Sequence, residues 1–148
     1  MNNRLNRLKF TLDQLNEVYR NLANLLCISQ PKMEIYYCLL AEGGSCPLSE
    51  ICSYMSIPKQ TLNSQLRSME KDGDIKVDYL PNSKKNKAAV LTEKGMKQAR
   101  ATAGLMQKFE TKALTSFSQQ EVEILFSLLE RFTDEMDKQV KSLQDEEI

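Results

Sequence analysis

The sequence predicts a mainly α-helical protein with a small β-wing, in which a winged helix-turn-helix lies between N-terminal and C-terminal helices. Three observations lead to this fold class. Apolar residues recur with heptad spacing near both ends of the 148-residue chain. Two short helical segments joined by a tight turn occupy the middle, and an alternating hairpin pattern follows the second of them. A chain of this length makes about one domain.

The first predicted helix carries an uninterrupted apolar stripe. Its residues recur at alternating spacings of three and four, which are the a and d positions of a heptad: Leu5, Leu8, Leu12, Leu15, Tyr19, Leu22 and Leu26. Pro31 is expected to stop this helix and to begin the next. A short, mostly buried helix is predicted from Lys32 to Glu42, and Gly43-Gly44 ends it.

A helix-turn-helix pattern occupies the middle of the chain. Pro47 opens a third helix, and a Ser56-Ile57 turn leads into the fourth. Pro58 suits the first position of this fourth helix, and Gly73 suits a left-handed stop just past its end. Three residues of the fourth helix share its inner face: Leu62, Leu66 and Met69.

The outer face of the fourth helix carries short donors and acceptors, with a cation at each end. Such side chains suit base edges and phosphates in a major groove, whereas the alternative is an ordinary solvated helix face. We expect base contacts from Gln60, Thr61, Asn63 and Ser64. We expect phosphate contacts from Lys59 and Arg67.

A β-hairpin is predicted directly after this helix. Ile75, Val77 and Tyr79 alternate with polar residues as in a strand, residues 81–83 suit a turn, and Ala89 and Leu91 alternate into a second strand. Three lysines are expected to cluster at the tip of the hairpin and to contact phosphates: Lys84, Lys85 and Lys87. A hairpin with a cationic tip after a helix-turn-helix is the pattern of a winged helix.

An L-T-E-K-G run at 91–95 follows the hairpin. Thr92 can cap a helix entered from the strand, and Gly95 lets another backbone approach closely. With the buried A-E-G-G run at 41–44, L-S-E-I at 48–51, Thr61 and M-E-K-D-G at 69–73, the sequence resembles the MarR (multiple-antibiotic-resistance) family of bacterial transcription regulators. The resemblance covers residues 35–95 by motif and the flanking helices by pattern only.

The resemblance implies a homodimer that binds double-stranded DNA and responds to a small aromatic effector. A twofold dimer presents two copies of the fourth helix, so we expect an inverted-repeat operator. The chain departs from the family pattern in two places. Ser83, Lys84 and Lys85 stand where the family usually has Asp and Arg, so the wing should hold phosphates but discriminate groove width poorly. Asp74 stands where the family usually has an apolar residue, so the start of the wing is expected to be looser or repacked.

The last third of the chain is predicted to be helical. One helix is expected from Met96 past Phe109 toward Ala113, and Ser118 to Glu121 forms a capping box. A second heptad stripe follows the capping box: Val122, Leu125, Leu129, Phe132, Met136 and Leu143. Two stripes that a small central domain cannot cover predict a homodimer built from the terminal helices, although an intramolecular helix pair is the alternative. The predicted division is therefore a dimerisation helix (1–30), a winged helix-turn-helix (31–92) and dimerisation helices (93–148).

Charge is unevenly distributed along a chain whose net charge is zero. Residues 56–100 hold ten Lys/Arg against five Asp/Glu, and residues 118–148 hold three against nine. A basic middle suits a local polyanion site. No apolar run approaches the length of a membrane span and no signal peptide is evident, so we expect a cytoplasmic protein that does not associate with membranes.

Three of the four cysteines are candidate redox thiols. Cys46 just precedes a predicted helix start, where a helix N-terminus lowers a thiol pKa, and Cys52 lies six residues further on. Cys27 ends the first helix, in which some members of the resembled family carry an oxidant-sensing cysteine. The alternative is that each is a small core residue that stays reduced in the cytoplasm.

Three functions are compared. The first is a dimeric, sequence-specific DNA-binding regulator, expected to be a repressor released by a small-molecule or redox signal. The second is a helical protein-interaction module whose winged helix does not bind DNA; it has no need of the cations on one side of the winged helix. The third, an enzyme, is disfavoured because the sequence lacks histidine, a glycine-rich phosphate loop and a nucleophile with an evident base. No cofactor or metal is predicted.

Overall fold

Helices and a small sheet alternate along the chain in the computed structural model, which describes residues 3–146. In chain order the elements are α1 (Asn3–Leu25), α2 (Gln30–Ala41), β1 (Ser45–Pro47), α3 (Leu48–Met55), α4 (Lys59–Lys71), β2 (Ile75–Tyr79), β3 (Lys87–Leu91), α5 (Glu93–Ala101), α6 (Ala103–Leu114) and α7 (Gln119–Glu146). The predicted fold class, mainly α with a winged helix, is confirmed.

The chain forms two compact units. The first ends at Lys108 and the second begins at Phe109, so α6 runs from one into the other. These bounds differ from the division predicted at residues 30 and 92. That division assigns dimerisation and DNA-binding roles to segments of the chain, and it remains a prediction. Residues 1, 2, 147 and 148 of that division lie outside the described part of the chain.

The link between α1 and α2 is a turn that begins well before the proline. Helix α1 ends at Leu25, and Cys27 adopts a left-handed φ of 53° that a continuing helix cannot accommodate. The expectation that Pro31 stops α1 is therefore wrong. Pro31 does lie in the first turn of α2, as predicted, and Ser29 caps that helix by accepting a hydrogen bond from the Lys32 N–H at 3.3 Å.

The predicted helix-turn-helix is formed by α3 and α4. Ser56 makes the turn with a left-handed φ of 51°, and Gly73 follows α4 with a φ of 78°. Pro58 lies one position earlier than predicted, at the N-cap of α4. The inner face is buried as predicted, at Leu62, Leu66 and Met69.

The wing is a three-stranded antiparallel sheet in the order β1-β3-β2. Strands β2 and β3 form the predicted hairpin, with Val77 opposite Ala89. Strand β1 was not predicted, and it pairs on the other side of β3 with Cys46 opposite Ala89. Pro47 therefore ends a strand as well as preceding α3.

Main-chain contacts of Asp74 fix the base of the wing. The Asp74 carbonyl oxygen accepts a hydrogen bond from the Thr92 N–H at 3.0 Å. Thr92 also caps α5 by accepting from the Gly95 N–H at 3.0 Å, and its hydroxyl donates to the Gly73 carbonyl at 2.7 Å. A Cβ at Gly95 would lie 1.7 Å from the Asp74 oxygen, so the predicted close backbone approach is confirmed and requires glycine.

The side chain of Asp74 is buried in a polar cluster. The residue is 2% exposed, and its carboxylate lies 3.1 Å from the Lys32 ammonium and 3.9 Å from that of Lys94. Burial and the Asp74 carboxylate raise the pKa of the neighbouring Tyr36 hydroxyl. The start of the wing is therefore repacked around an ion pair, in place of the apolar residue usual in the resembled family.

The core of the first unit lies between α2, the helix-turn-helix and the sheet. Its largest fully buried side chains include Tyr36, Met33, Ile35 and Leu39 of α2 and Ile51 of α3. Of the A-E-G-G run at 41–44, expected to be buried, only Gly44 is buried, because the run forms the exposed turn after α2.

The helix predicted from Met96 is two helices. Thr102 separates α5 from α6, with a φ of −114° and a ψ of −82°. Its hydroxyl donates to the Gln98 carbonyl at 2.8 Å, a back-bond that commonly bends helices.

The capping box before α7 is confirmed. The Ser118 N–H donates to the Glu121 carboxylate at 2.8 Å, and the Glu121 N–H donates to the Ser118 hydroxyl at 3.1 Å.

Within residues 3–146, no helix has the length and apolar character that crossing a bilayer demands.

The ion pair at the base of the wing gives the first prediction. Lys32→Met leaves the Asp74 carboxylate buried, with only the more distant Lys94 beside it. We expect this variant to lose about 3 kcal/mol of unfolding free energy in urea denaturation at pH 7. Adding Asp74→Leu removes the unpaired charge and should restore most of that loss.

The matched control is Lys9→Met, which breaks the exposed pair with Asp13. Surface pairs contribute little, so no measurable change is expected there. Equal stability of Lys32→Met and the wild type, or a double variant no more stable than the single, would contradict a dominant role for the buried pair.

Candidate nucleic-acid interface

The outer face of α4 is open to solvent. Five of its six predicted contact residues are exposed: Lys59, Gln60, Thr61, Ser64 and Arg67. Asn63 is half-buried. Because the inner face of α4 packs into the core, the helix is held rigidly while these polar side chains remain available to a ligand.

The tip of the wing is an ordered turn. The Ser83 hydroxyl accepts hydrogen bonds from the N–H groups of Lys85 at 3.3 Å and Asn86 at 3.0 Å. The Leu80 N–H donates to the Asn86 carbonyl at 2.7 Å and closes the loop. Lys84 and Lys85 therefore project from a fixed backbone, as a phosphate contact requires.

Lys87 lies in β3 and not at the tip of the wing, where it was predicted. It pairs with Tyr79 of β2, and its ammonium stands 5.1 Å from the centroid of the Tyr79 ring. This cation–π contact anchors the lysine stem on the side of the wing. Its charge remains exposed.

A cavity of about 280 Å³ joins α3, α4 and the wing. Four of the predicted contact residues line it: Lys59 and Asn63 of α4, and Lys85 and Lys87 of the wing. Gln60, Thr61, Ser64, Arg67 and Lys84 do not line the cavity. Leu48, Ser49 and Asn86 also line it; the sequence does not predict this, because they become neighbours only when the three elements pack together.

The cations of this surface have no acidic partner within residues 3–146. Among the described residues, no carboxylate forms an ion pair with Lys59, Arg67, Lys84, Lys85 or Lys87. Unpaired ammonium and guanidinium groups on one side of a domain create a positive potential that suits phosphates.

The structure separates the three candidate thiols. Cys46, in β1, is fully buried, and burial together with the Glu50 carboxylate raises its pKa to about 12. The expectation that a helix N-terminus lowers this pKa is therefore wrong, because desolvation outweighs the helix dipole. Cys52 is half-buried in the cavity, and Cys27 is exposed. All four cysteines are free thiols.

The metal-ligand types of this chain are dispersed. In residues 3–146, no three Cys, Asp or Glu side chains come together in a group that could hold a metal ion.

The predicted dimerisation residues present apolar surface on both terminal helices. On α1, Leu5, Leu8, Leu12 and Leu15 are 36–62% exposed. On α7, Leu125, Leu129, Phe132 and Met136 are 39–50% exposed, and Val122 is half-buried. None of the residues described in α7 is buried.

Solved structures share this architecture. A MarR family regulator from Neisseria meningitidis superposes with a TM-score of 0.82 at 22% identity, covering 95% of this chain and 99% of that chain. A putative MarR family transcriptional regulator from Listeria monocytogenes, complexed with a 26mer DNA, superposes with a TM-score of 0.69 at 19% identity. The superposition covers 92% of this chain and 90% of that chain. NadR in complex with 4-hydroxyphenylacetate superposes with a TM-score of 0.67 at 19% identity, covering 84% of this chain and 91% of that chain.

No protein-family model matches the sequence, and no curated protein matches it. The likeness to the solved structures is one of fold over nearly the whole chain. The first two are described as MarR family regulators, not as enzymes. The chain therefore has the winged-helix fold of MarR family transcription regulators, the family that its sequence resembles.

Proposed function

We propose that the chain is a MarR family regulator: a homodimer that binds specific DNA sequences and represses transcription until a small-molecule or redox signal releases it. The surface formed by α4 and the wing carries this proposal. It presents exposed amides and hydroxyls beside cations that have no acidic partner among the described residues. The relative complexed with a 26mer DNA supports double-stranded DNA as the partner. The regulator would act in the bacterial cytoplasm.

Two copies of α4 related by a twofold axis would recognise an inverted repeat. Half-site centres about 10 bp apart would place both helices on one side of the duplex. Gln60, Thr61 and Ser64 lie exposed in the first two turns of α4, the part of such a helix that reaches base edges. Because glutamine pairs bidentately with adenine, A·T positions are expected within each half-site.

The exposed apolar stripes of α1 and α7 support a homodimer. Apolar side chains of this number in heptad register cost free energy when they face water, and a second copy offers matching stripes. The proposed interface consists of residues 5–28 and 118–143.

An effector would act through the same helices. They join the dimer to the DNA-binding surface, so a ligand that prefers one spacing of the two α4 helices shifts the population away from the DNA-bound spacing. The NadR complex with 4-hydroxyphenylacetate supports a small aromatic compound as the effector class.

A redox signal would act through Cys27 or Cys52. The thiolate is the reactive form, and the raised pKa of Cys46 keeps that thiol protonated at neutral pH. Burial raises the pKa of Cys38 as well. Cys27 and Cys52 are the thiols that solvent reaches.

The DNA interface gives a test with two arms. The preferred operator is first selected from a random duplex pool. Gln60→Ala should weaken binding to this operator by about 1–3 kcal/mol and relax the base preference at one position. Lys84→Ala should weaken binding to all sequences alike. It should also make the slope of log K against log salt concentration shallower by about one unit per wing. Fluorescence anisotropy across a salt series measures both effects.

Two results would contradict this assignment. If Lys84→Ala changed the base preference and Gln60→Ala did not, the assignment of Gln60 to bases and Lys84 to phosphates would be wrong. A wild type that binds no duplex at low salt would favour the protein-interaction module instead.

The dimer is tested by charge substitution on α7. The wild type should sediment at about twice its monomer mass of 17.0 kDa. Leu125→Glu with Leu129→Glu should give monomers or insoluble protein, because buried unpaired charge is costly. Ser127→Glu, on the opposite side of α7, is the matched control and should stay dimeric. A monomeric wild type at micromolar concentration would exclude the proposed interface.

Thiol accessibility is tested by alkylation with iodoacetamide at pH 8, followed by peptide mass mapping. Cys27 should react first. With its pKa at about 12, Cys46 should react about a thousandfold more slowly than in the urea-unfolded chain at the same pH, since only the thiolate attacks. Native Cys46 reacting as fast as Cys27 would show that its burial does not protect it.

A further inference from the structure

The cavity between α3, α4 and the wing has the features of an anion site. Three lysines line it (Lys59, Lys85 and Lys87), and none of the described residues that line it is acidic. None of the three forms an ion pair within the described residues. Like charges held around one cavity repel each other, and a bound anion would remove that repulsion.

Two helices begin at the same cavity. Leu48 and Ser49 are the first residues of α3, and Lys59 is the first residue of α4. The partial positive charge of a helix N-terminus favours anions, and first-turn residues of both helices line this cavity beside the lysines. The Asn63 and Asn86 amides and the Ser49 hydroxyl add neutral donors.

The donor set suits a phosphate group. No arginine lines the cavity, so a planar bidentate fork, which binds carboxylates and phosphates alike, is missing. The ammonium groups of Lys59 and Lys85, from α4 and the wing, act instead as point charges that can contact a tetrahedral group, the way lysine binds phosphate. Lys87, whose ammonium also contacts the Tyr79 ring, adds a third positive charge. The volume exceeds what one phosphate group fills, and Leu48 offers an apolar wall to an attached organic group.

We propose that this cavity is a phosphate-binding site that accepts either a backbone phosphate of bound DNA or the phosphate group of a small organic phosphate. The first of these sources rests on the proposed DNA-binding function, and the second does not. Because the cavity joins α4 to the wing, an organic phosphate seated there would occupy the place of a DNA phosphate. It would compete with DNA directly, without a change in the spacing of the two α4 helices.

Cys52 provides a readout inside the cavity. The probe is glycerol 3-phosphate, with sodium chloride at matched ionic strength as the control. Alkylation of Cys52 by neutral iodoacetamide, followed by peptide mass mapping, should slow by about tenfold at ten times the Kd, because only the empty fraction reacts. Alkylation of Cys27 in the same sample should not change. Side-chain amide NMR shifts of Asn63 and Asn86 give a second readout that does not depend on thiol reactivity.

Matched variants locate the site. Lys85→Gln with Lys87→Gln should abolish the protection of Cys52 by glycerol 3-phosphate. Lys84→Gln, which removes a wing charge outside the cavity, should retain it. Equal protection by chloride, or protection that survives in the double variant, would overturn the proposal.

A duplex arm separates the two sources of phosphate. Protection by glycerol 3-phosphate and by the selected duplex, with each displacing the other, supports both sources. Protection by the duplex alone supports a phosphate site that serves DNA. Protection by glycerol 3-phosphate in a protein that binds no duplex supports the site while the DNA-binding function fails. If neither ligand protects Cys52 or shifts the Asn63 and Asn86 amides, the cavity is not a phosphate site.

Discussion

The packing of Gly95 against the main chain of Asp74 sets the position of the wing. Helix α5 can pass this close only because residue 95 has no Cβ, and the hydrogen bond from the Thr92 N–H holds the two segments together. Since α4 ends just before Gly73, the same contact ties the end of α4 to the first residues of β2. This close backbone contact therefore helps to fix the outer face of α4 relative to the lysines of the wing.

The carboxylate of Asp74 adds a polar constraint at that point. A buried ion pair of this kind gains little net stability over an apolar contact, because both charges lose water. It does impose direction, since the Lys32 ammonium must reach from α2 to the base of the wing. The orientation of α2 against the wing is thus coupled to a charge pair.

Elements with their own periodicity and boundary residues could be predicted from the sequence. Helix α4 lies between Pro58 and Gly73, and the β2–β3 hairpin follows its alternation. Features that depend on packing could not be predicted. Strand β1 has three residues and no period of its own, and the pKa of Cys46 follows from its burial within the fold, not from its place before a helix. Asp74 was recognisable as unusual, but its partner Lys32 is distant in sequence. The cavity forms only where α3, α4 and the wing meet, so no single segment of the sequence predicts it.

The order of the strands leaves the wing with two free edges, β1 and β2. Open strand edges invite pairing with another chain, which is a common route to aggregation. Here β1 is short and contains Pro47, which lacks an N–H, while Lys76 and Asp78 place charges along β2. The wing can therefore expose its edge strands without offering a template for β-sheet extension.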